Sequence, residues 1–136
     1  MAPVVVFFWS VTALLCSLLA APVDASPRSD VFRHAKAATA LIMAINDSTQ
    51  SVSMGSGFFV NGEGLLVTNA HVIEESTRLY VYVDNQFIHT DPKVVAVDSD
   101  LDLAALKIPQ SDPDTLALAA DLPAEGTDVI AVGYPR

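Results

Sequence analysis

From residue 38 onward, short β-branched and aromatic runs alternate with turn residues at intervals of about ten, the spacing of an antiparallel sandwich or barrel rather than of helices. The pattern predicts strands near residues 39–46, 57–61, 64–68, 78–84, 93–98, 103–108 and 128–134. Between them lie segments that turn cheaply. Asp47-Ser48-Thr49-Gln50 offers side chains that bond their own backbone, and Asn61-Gly62-Glu63-Gly64 supplies residues tolerant of positive φ, a good hairpin signal. In the run 78–84, Leu79, Val81 and Val83 alternate with Tyr80 and Tyr82, so one face of that strand is expected to be buried. The fold class expected is all-β. No heptad, tandem repeat or low-complexity tract competes with it.

At 136 residues, with 51% apolar and 17% charged side chains, the chain is too apolar to remain disordered and large enough for one compact core. Some of that apolar content belongs to the beginning. Val4 to Trp9 and Ala13 to Ala20 run almost without a polar side chain, over a length short against the roughly 20 residues of a membrane span. Val23-Asp24-Ala25 follows with small residues at the spacing a signal peptidase reads, so residues 1–25 are expected to be a signal peptide and the mature chain to begin at Ser26. An uncleaved anchor is the rival reading, because no basic residue precedes the segment. Cys16, the one cysteine, lies inside this leader and leaves the mature chain without a disulfide. Residues 26–37 carry much of the positive charge with little periodicity and read as a linker with one helical turn. A formal charge of −9 argues against nucleic acid as a partner.

The densest chemical signal is Gly55-Ser56-Gly57-Phe58-Phe59-Val60, a Gly-bounded turn, and then Leu65-Leu66-Val67-Thr68-Asn69-Ala70-His71-Val72. A strand ending in Thr-Asn-Ala-His sets the imidazole just beyond a buried edge on fixed backbone, where a general base belongs. Further on, Asp98, Asp100 and Asp102 compete for the role of its carboxylate partner ahead of Leu103-Ala104-Ala105-Leu106-Lys107-Ile108. With Lys107 facing solvent, the two-residue period turns Ala104, Leu106 and Ile108 inward and puts Asp102 on their side. An inward carboxylate is costly unless it accepts hydrogen bonds, and an imidazole N–H would supply one.

These two blocks resemble those of serine proteases of the HtrA/Deg type, within the trypsin-like superfamily. Gly-Ser-Gly-Phe followed by Leu-Val-Thr-Asn-x-His-Val is similar to their catalytic-histidine block, and Asp-Leu-Ala-x-Leu-Lys to their aspartate block, landing on Asp102. Leu116 to Asp121 and Glu125 to Pro135 resemble the stretch leading from the first β-barrel into the second. The resemblance implies a first six-stranded barrel over 38–119 and the first strand of a second, incomplete barrel over 120–136. It also implies His71 as general base, Asp102 as its orienting carboxylate, and a protein or peptide substrate. The nucleophilic serine of such enzymes stands in a Gly-Asn-Ser-Gly-Gly context that no serine of this chain has, so it is expected beyond Arg136. Ser56, between two glycines, corresponds to a structural residue at a strand entry.

Other readings of the same residues fail. Asp98-x-Asp100-x-Asp102 begins like a calcium loop, but Leu103 and Pro109 stand where glycine and glutamate are needed. Gly55-Ser56-Gly57 lacks the third glycine of a phosphate fingerprint, and His71-Val72-Ile73-Glu74 lacks the second histidine of a zinc-protease helix. No cofactor or metal is therefore expected. His34 and His89 have no chemical context, and Asn46-Asp47-Ser48 is a glycosylation sequon usable only in a eukaryotic secretory route. Two functions remain open at this point: a secreted serine endopeptidase represented by its N-terminal portion, and a non-catalytic half-protease that binds peptides or a protease partner.

Overall fold

A computed structural model describes residues 27–84, 86–90, 92–109 and 112–134. The leader, 1–25, lies outside the described residues. Helix α1 spans Pro27–Ala37, followed by strands β1 (Thr39–Asn46), β2 (Ser51–Phe59) and β3 (Leu65–Thr68). A single-turn helix α2 (Ala70–Ile73) separates these from β4 (Arg78–Val83), β5 (Gln86–Thr90), β6 (Lys93–Asp98) and β7 (Leu103–Lys107).

All pairings are antiparallel and the strands form one seven-stranded sheet in the order β5-β4-β1-β2-β3-β7-β6. A flat sheet of this order would hold β5 and β6 about 29 Å apart, at about 4.8 Å per strand. Yet only residues 91 and 92 separate the two strands in the chain, and three residue steps reach at most about 11 Å. The edges must therefore meet, and the sheet is a barrel. The register irregularities sit where this curvature is needed, between Val81 and Tyr82 opposite β5 and between Val94 and Ala96 opposite β7. Taken together, β5 and β6 act as one bent strand shared by both edges, which reconciles seven strand segments with the expected six-stranded barrel.

Alternation fills the interior. Ala40, Ile42 and Ala44 of β1, Phe59 of β2, Leu66 of β3, Leu79 and Val81 of β4, and Ala104, Leu106 and Ile108 of the last strand region form one buried cluster with Val72 and Ile73. Two buried hydroxyls are paired inside this shell: Thr39 Oγ1 donates to Ala35 O at 2.7 Å and Thr68 Oγ1 to Ser56 O at 2.9 Å. The turn chemistry is as expected. Asn46 Oδ1 accepts the N–H groups of Ser48 and Thr49, and Asn61 Oδ1 accepts those of Glu63 and Leu65, with Gly64 at φ 80.

The strands over 39–46, 64–68, 78–84, 93–98 and 103–108 are found within a residue of expectation. Four readings are corrected. Residues 26–37 form no linker with one turn but an 11-residue helix, Pro27–Ala37. A proline at the first position lacks an N–H that would be unpaired anyway, Asp30 and Lys36 complement the helix dipole, and Arg33 Nη2 bonds Asp30 Oδ1 at 2.7 Å. Nearly all of its side chains face water, so it shows no apolar periodicity. Strand β2 begins at Ser51, well before residue 57, because Ser51–Ser56 pairs with β1 in register, although three serines and a glycine dilute its strand signal and its two large apolar residues, Val52 and Met54, face outward. Strand β5, over Gln86–Thr90, was not among the expected strands although Phe87, Ile88 and Thr90 suit one, and it pairs with β4. Finally, residues 128–134, expected as the first strand of a second barrel, lie in no strand. A strand needs a ladder, and this segment instead docks on the first barrel through a side chain: Tyr134 N–H donates to Ser56 Oγ at 2.8 Å. Arg28 of α1 adds an exposed ion pair to Asp128.

Candidate active site

Helix α2 closes one end of the barrel. Ala70, Val72 and Ile73 are buried, and the fourth residue, His71, is left pointing outward with its side chain 55% exposed. The helix can lie this close because of Gly55 in β2: a Cβ there would overlap the Val72 side chain. Gly57 does likewise two residues further along β2, where a Cβ would stand 2.9 Å from Val67 O and 3.0 Å from the tips of Ile42 and Leu66. The two glycines of Gly55-Ser56-Gly57 thus admit packing, and no ligand is needed to account for them. The C-terminal carbonyls of α2 are satisfied locally, Ala70 O by Glu74 N–H and Ile73 O by both N–H and Oγ–H of Ser76.

Asp102 stands immediately before β7 with φ 53, a left-handed conformation uncommon for a residue with a Cβ. Ala104, Leu106 and Ile108 face inward as expected. Asp102 does not share their side: a left-handed residue interrupts the two-residue alternation, and its side chain stays 44% exposed beside α2. There Oδ1 accepts the His71 main-chain N–H at 2.9 Å and Oδ2 lies 2.7 Å from His71 Nδ1. Asn69 Nδ2 completes the set, 3.2 Å from Asp102 Oδ2 and 3.1 Å from the Asp102 carbonyl oxygen. The main-chain N–H of His71, ahead of its ring N–H, holds the Asp102 carboxyl below the ordinary carboxylate range, against an opposing effect of burial.

An ionised carboxylate only accepts, so the proton of a neutral His71 ring resides on Nδ1 and Nε2 carries the free lone pair. Among the described residues nothing hydrogen-bonds Nε2. The arrangement can take a proton at Nε2 from a group placed against it and stabilise the resulting imidazolium through Asp102.

The other candidates fall away from this centre. Asp98 Oδ1 caps the turn by accepting Leu101 N–H at 3.0 Å, and Asp100 is exposed in the same turn. His34 is exposed on α1, and the side chain of His89 lies outside the described residues. Ser56 is occupied with Tyr134. Asn69 stands within the histidine block, where sequence reasoning assigns it no role. The available signal was an N-cap-type residue directly after a strand and two before the histidine.

An antiparallel barrel carrying a hydrogen-bonded histidine and aspartate on its rim has the class of a trypsin-like peptidase barrel. The model of the trypsin-like peptidase domain matches residues 55–136. The chain is 32% identical over 118 residues to the serine protease Rv3671c of Mycobacterium tuberculosis, covering 86% of this chain and 29% of that protein. It is 35% identical over 150 residues to the mitochondrial serine protease HTRA2 of Bos taurus, covering 97% and 32% respectively. Among solved structures, the Rv3671c protease in its active form superposes with a TM-score of 0.62 at 29% identity, over 70% of this chain and 40% of that one. The chain belongs to the trypsin-like peptidase family, among serine proteases of the HtrA type. It spans about three-tenths of the length of these two curated relatives and less of others.

Proposed function

We propose that this chain carries the general base and the orienting carboxylate of a secreted serine endopeptidase that hydrolyses peptide bonds in protein substrates. His71 takes the proton of an attacking serine at Nε2, and Asp102 fixes the tautomer and stabilises the imidazolium. The observation that carries this reading is the 2.7 Å contact between His71 Nδ1 and Asp102 Oδ2, with Nε2 unengaged among the described residues. Secretion rests on the leader of residues 1–25 with its cleavage rule, and not on the fold. Among the described residues no helix is long and apolar enough to cross a membrane. The residues over 38–119 constitute the first barrel in this reading, and 120–136 lead towards a second.

The nucleophile belongs to sequence outside these 136 residues, since no serine within them stands in a Gly-x-Ser-Gly context. Loss of the nucleophile alone lowers turnover by about a million-fold in an enzyme of this chemistry. The test is labelling by a serine-directed fluorophosphonate. The 136-residue chain is expected to remain unlabelled, whereas a chain extended through the following coding sequence is expected to label in a manner abolished by His71→Ala. Labelling of the short chain, or labelling of the extended chain that survives His71→Ala, overturns the assignment. Failure of the extended chain to label at all replaces it with a binding role.

A further inference from the structure

Asn69 is the N-cap residue of α2, at φ −77 and ψ 145, and asparagine is among the residues that cap best. A capping side chain accepts the N–H of the second or third helical residue, here His71 or Val72. Asn69 makes no such bond. The N–H of His71 is taken instead by Asp102 Oδ1, from 31 residues away, while the Asn69 carboxamide reaches over to Asp102. The cap of α2 has been exchanged between two segments of the chain.

The exchange has geometric consequences. A carboxylate that caps α2 from outside sits beside the second residue of the helix, which places its other oxygen against the His71 ring. A residue at φ 53 has no ladder partner to hold its carbonyl, and Asn69 Nδ2 donates to that carbonyl at 3.1 Å as well as to Oδ2 at 3.2 Å. Its two N–H bonds suffice for both acceptors. One side chain thus fixes the main chain and the carboxylate of Asp102 together. Asp102 is half exposed, so packing alone does not restrain it.

We infer that Asn69 is a positioning residue for the His71–Asp102 pair, clamping Asp102 in its left-handed conformation so that its carboxylate both caps α2 and orients the imidazole. The inference rests on the general-base reading of that pair given above. Among the described residues the Asn69 carboxamide bonds Asp102 and neither ring nitrogen of His71, so it acts through Asp102.

The experiment is NMR of the His71 ring in the 136-residue chain, following the low-field proton on Nδ1 and its exchange with water. Asp102→Asn serves as the first control: it is expected to abolish the low-field resonance. If the wild-type chain shows no such resonance, or Asp102→Asn leaves it unchanged, the pair itself is refuted and the inference goes with it. With the pair standing, Asn69→Ser retains a residue that caps well but cannot span to Asp102, and Asn69→Asp retains a cap while replacing the donor by a second carboxylate. Asn69→Ser is expected to keep the urea midpoint near that of the wild type while the Nδ1 proton exchanges roughly tenfold faster or more, the factor expected for losing a hydrogen bond to a charged group. Asn69→Asp, whose carboxylate would stand against that of Asp102, is expected to accelerate exchange at least as much and to lower the midpoint as well. Wild-type exchange in Asn69→Ser shows that Asn69 is only a helix cap. A lowered midpoint with unchanged exchange says the same.

Discussion

Gly55 and Val72 lie so close that no side chain fits between them. A Cβ on Gly55 would overlap Val72 Cγ2 and stand 2.9 Å from Cγ1, both atoms on a β-branched side chain that is itself fully enclosed. Since Val72 follows His71 in a four-residue helix, whatever moves Val72 moves the imidazole.

Gly55→Ala is therefore expected to destabilise the barrel by about 1–3 kcal/mol, the usual cost of overpacking. It is also expected to lengthen the His71 to Asp102 contact. A urea titration checks the first effect and the His71 Nδ1 proton resonance the second; an unchanged midpoint together with an unchanged resonance would show that α2 yields freely.

Acid stability follows from two carboxyls. Asp47 is held below the usual range chiefly by its hydrogen bond with Arg78, then by Thr77, and Asp102 by the His71 N–H groups. Both bind their proton more weakly folded than unfolded. Their contribution is complete above the free value of 3.8 and disappears as the pH falls through the folded values. The urea midpoint is expected to fall between pH 6 and pH 3, and to fall less in a chain carrying Asp47→Asn and Asp102→Asn. Equal falls in the two chains would place the acid sensitivity elsewhere.

Leu106→Ala removes a side chain with 0% exposure from the strand that follows Asp102 and is expected to cost about 2–5 kcal/mol. For a small domain this approaches the whole margin. Leu118→Ala, at a residue 72% exposed, is expected to stay within about 0.5 kcal/mol. Thermal melts of the two variants compare them directly. A Leu118 effect as large as that of Leu106 would mean that Leu118 is covered in solution.

Ser56→Ala deletes the acceptor of the Tyr134 N–H without touching the Ser56 carbonyl that pairs Thr68. The Tyr134 amide is expected to exchange with water roughly tenfold faster while the barrel loses no more than about 1 kcal/mol. Amide exchange of Tyr134 measured beside that of Leu66 separates the two effects, and parallel acceleration at both would make residue 134 integral to the barrel.

The barrel strands with β-branched, alternating sequence were legible because burial of one face writes itself into a two-residue period. What the period could not reveal was structure owed to something else. Ser51–Ser56 is a strand through its register with β1, and α1 is a helix through its end charges and its initial proline. In 128–134 the reverse holds: the residues suit a strand, but the ladder that would make it one is missing, and a serine hydroxyl takes the place of a neighbouring strand. His71 and Asp102 were both legible as neighbours, the second for an incomplete reason. Alternation from β7 pointed at Asp102, while the left-handed turn that brings it to α2 left no mark in the hydrophobic pattern. Asn69 and Gly55 read only as letters of a motif, and their roles emerge once α2 is seen to be capped from another segment and packed against a bare backbone.

The curled sheet also has a consequence in time. Most neighbouring strands here are close in the chain, but β3 meets β7 only across the 34 residues between Thr68 and Leu103, much as β1 meets β4 across the 31 between Asn46 and Arg78, and the β3–β7 pairing sets Asp102 opposite the end of β3. Loop closure of that length is slow compared with forming a hairpin. The hydrogen bond between His71 and Asp102 is then a marker of a long-range event, the joining of β3 to β7 inside the sheet, and not of a local hairpin. A refolding trace followed at His71 would rise after one followed at the β1–β2 hairpin, making the rim of the barrel a clock for that joining.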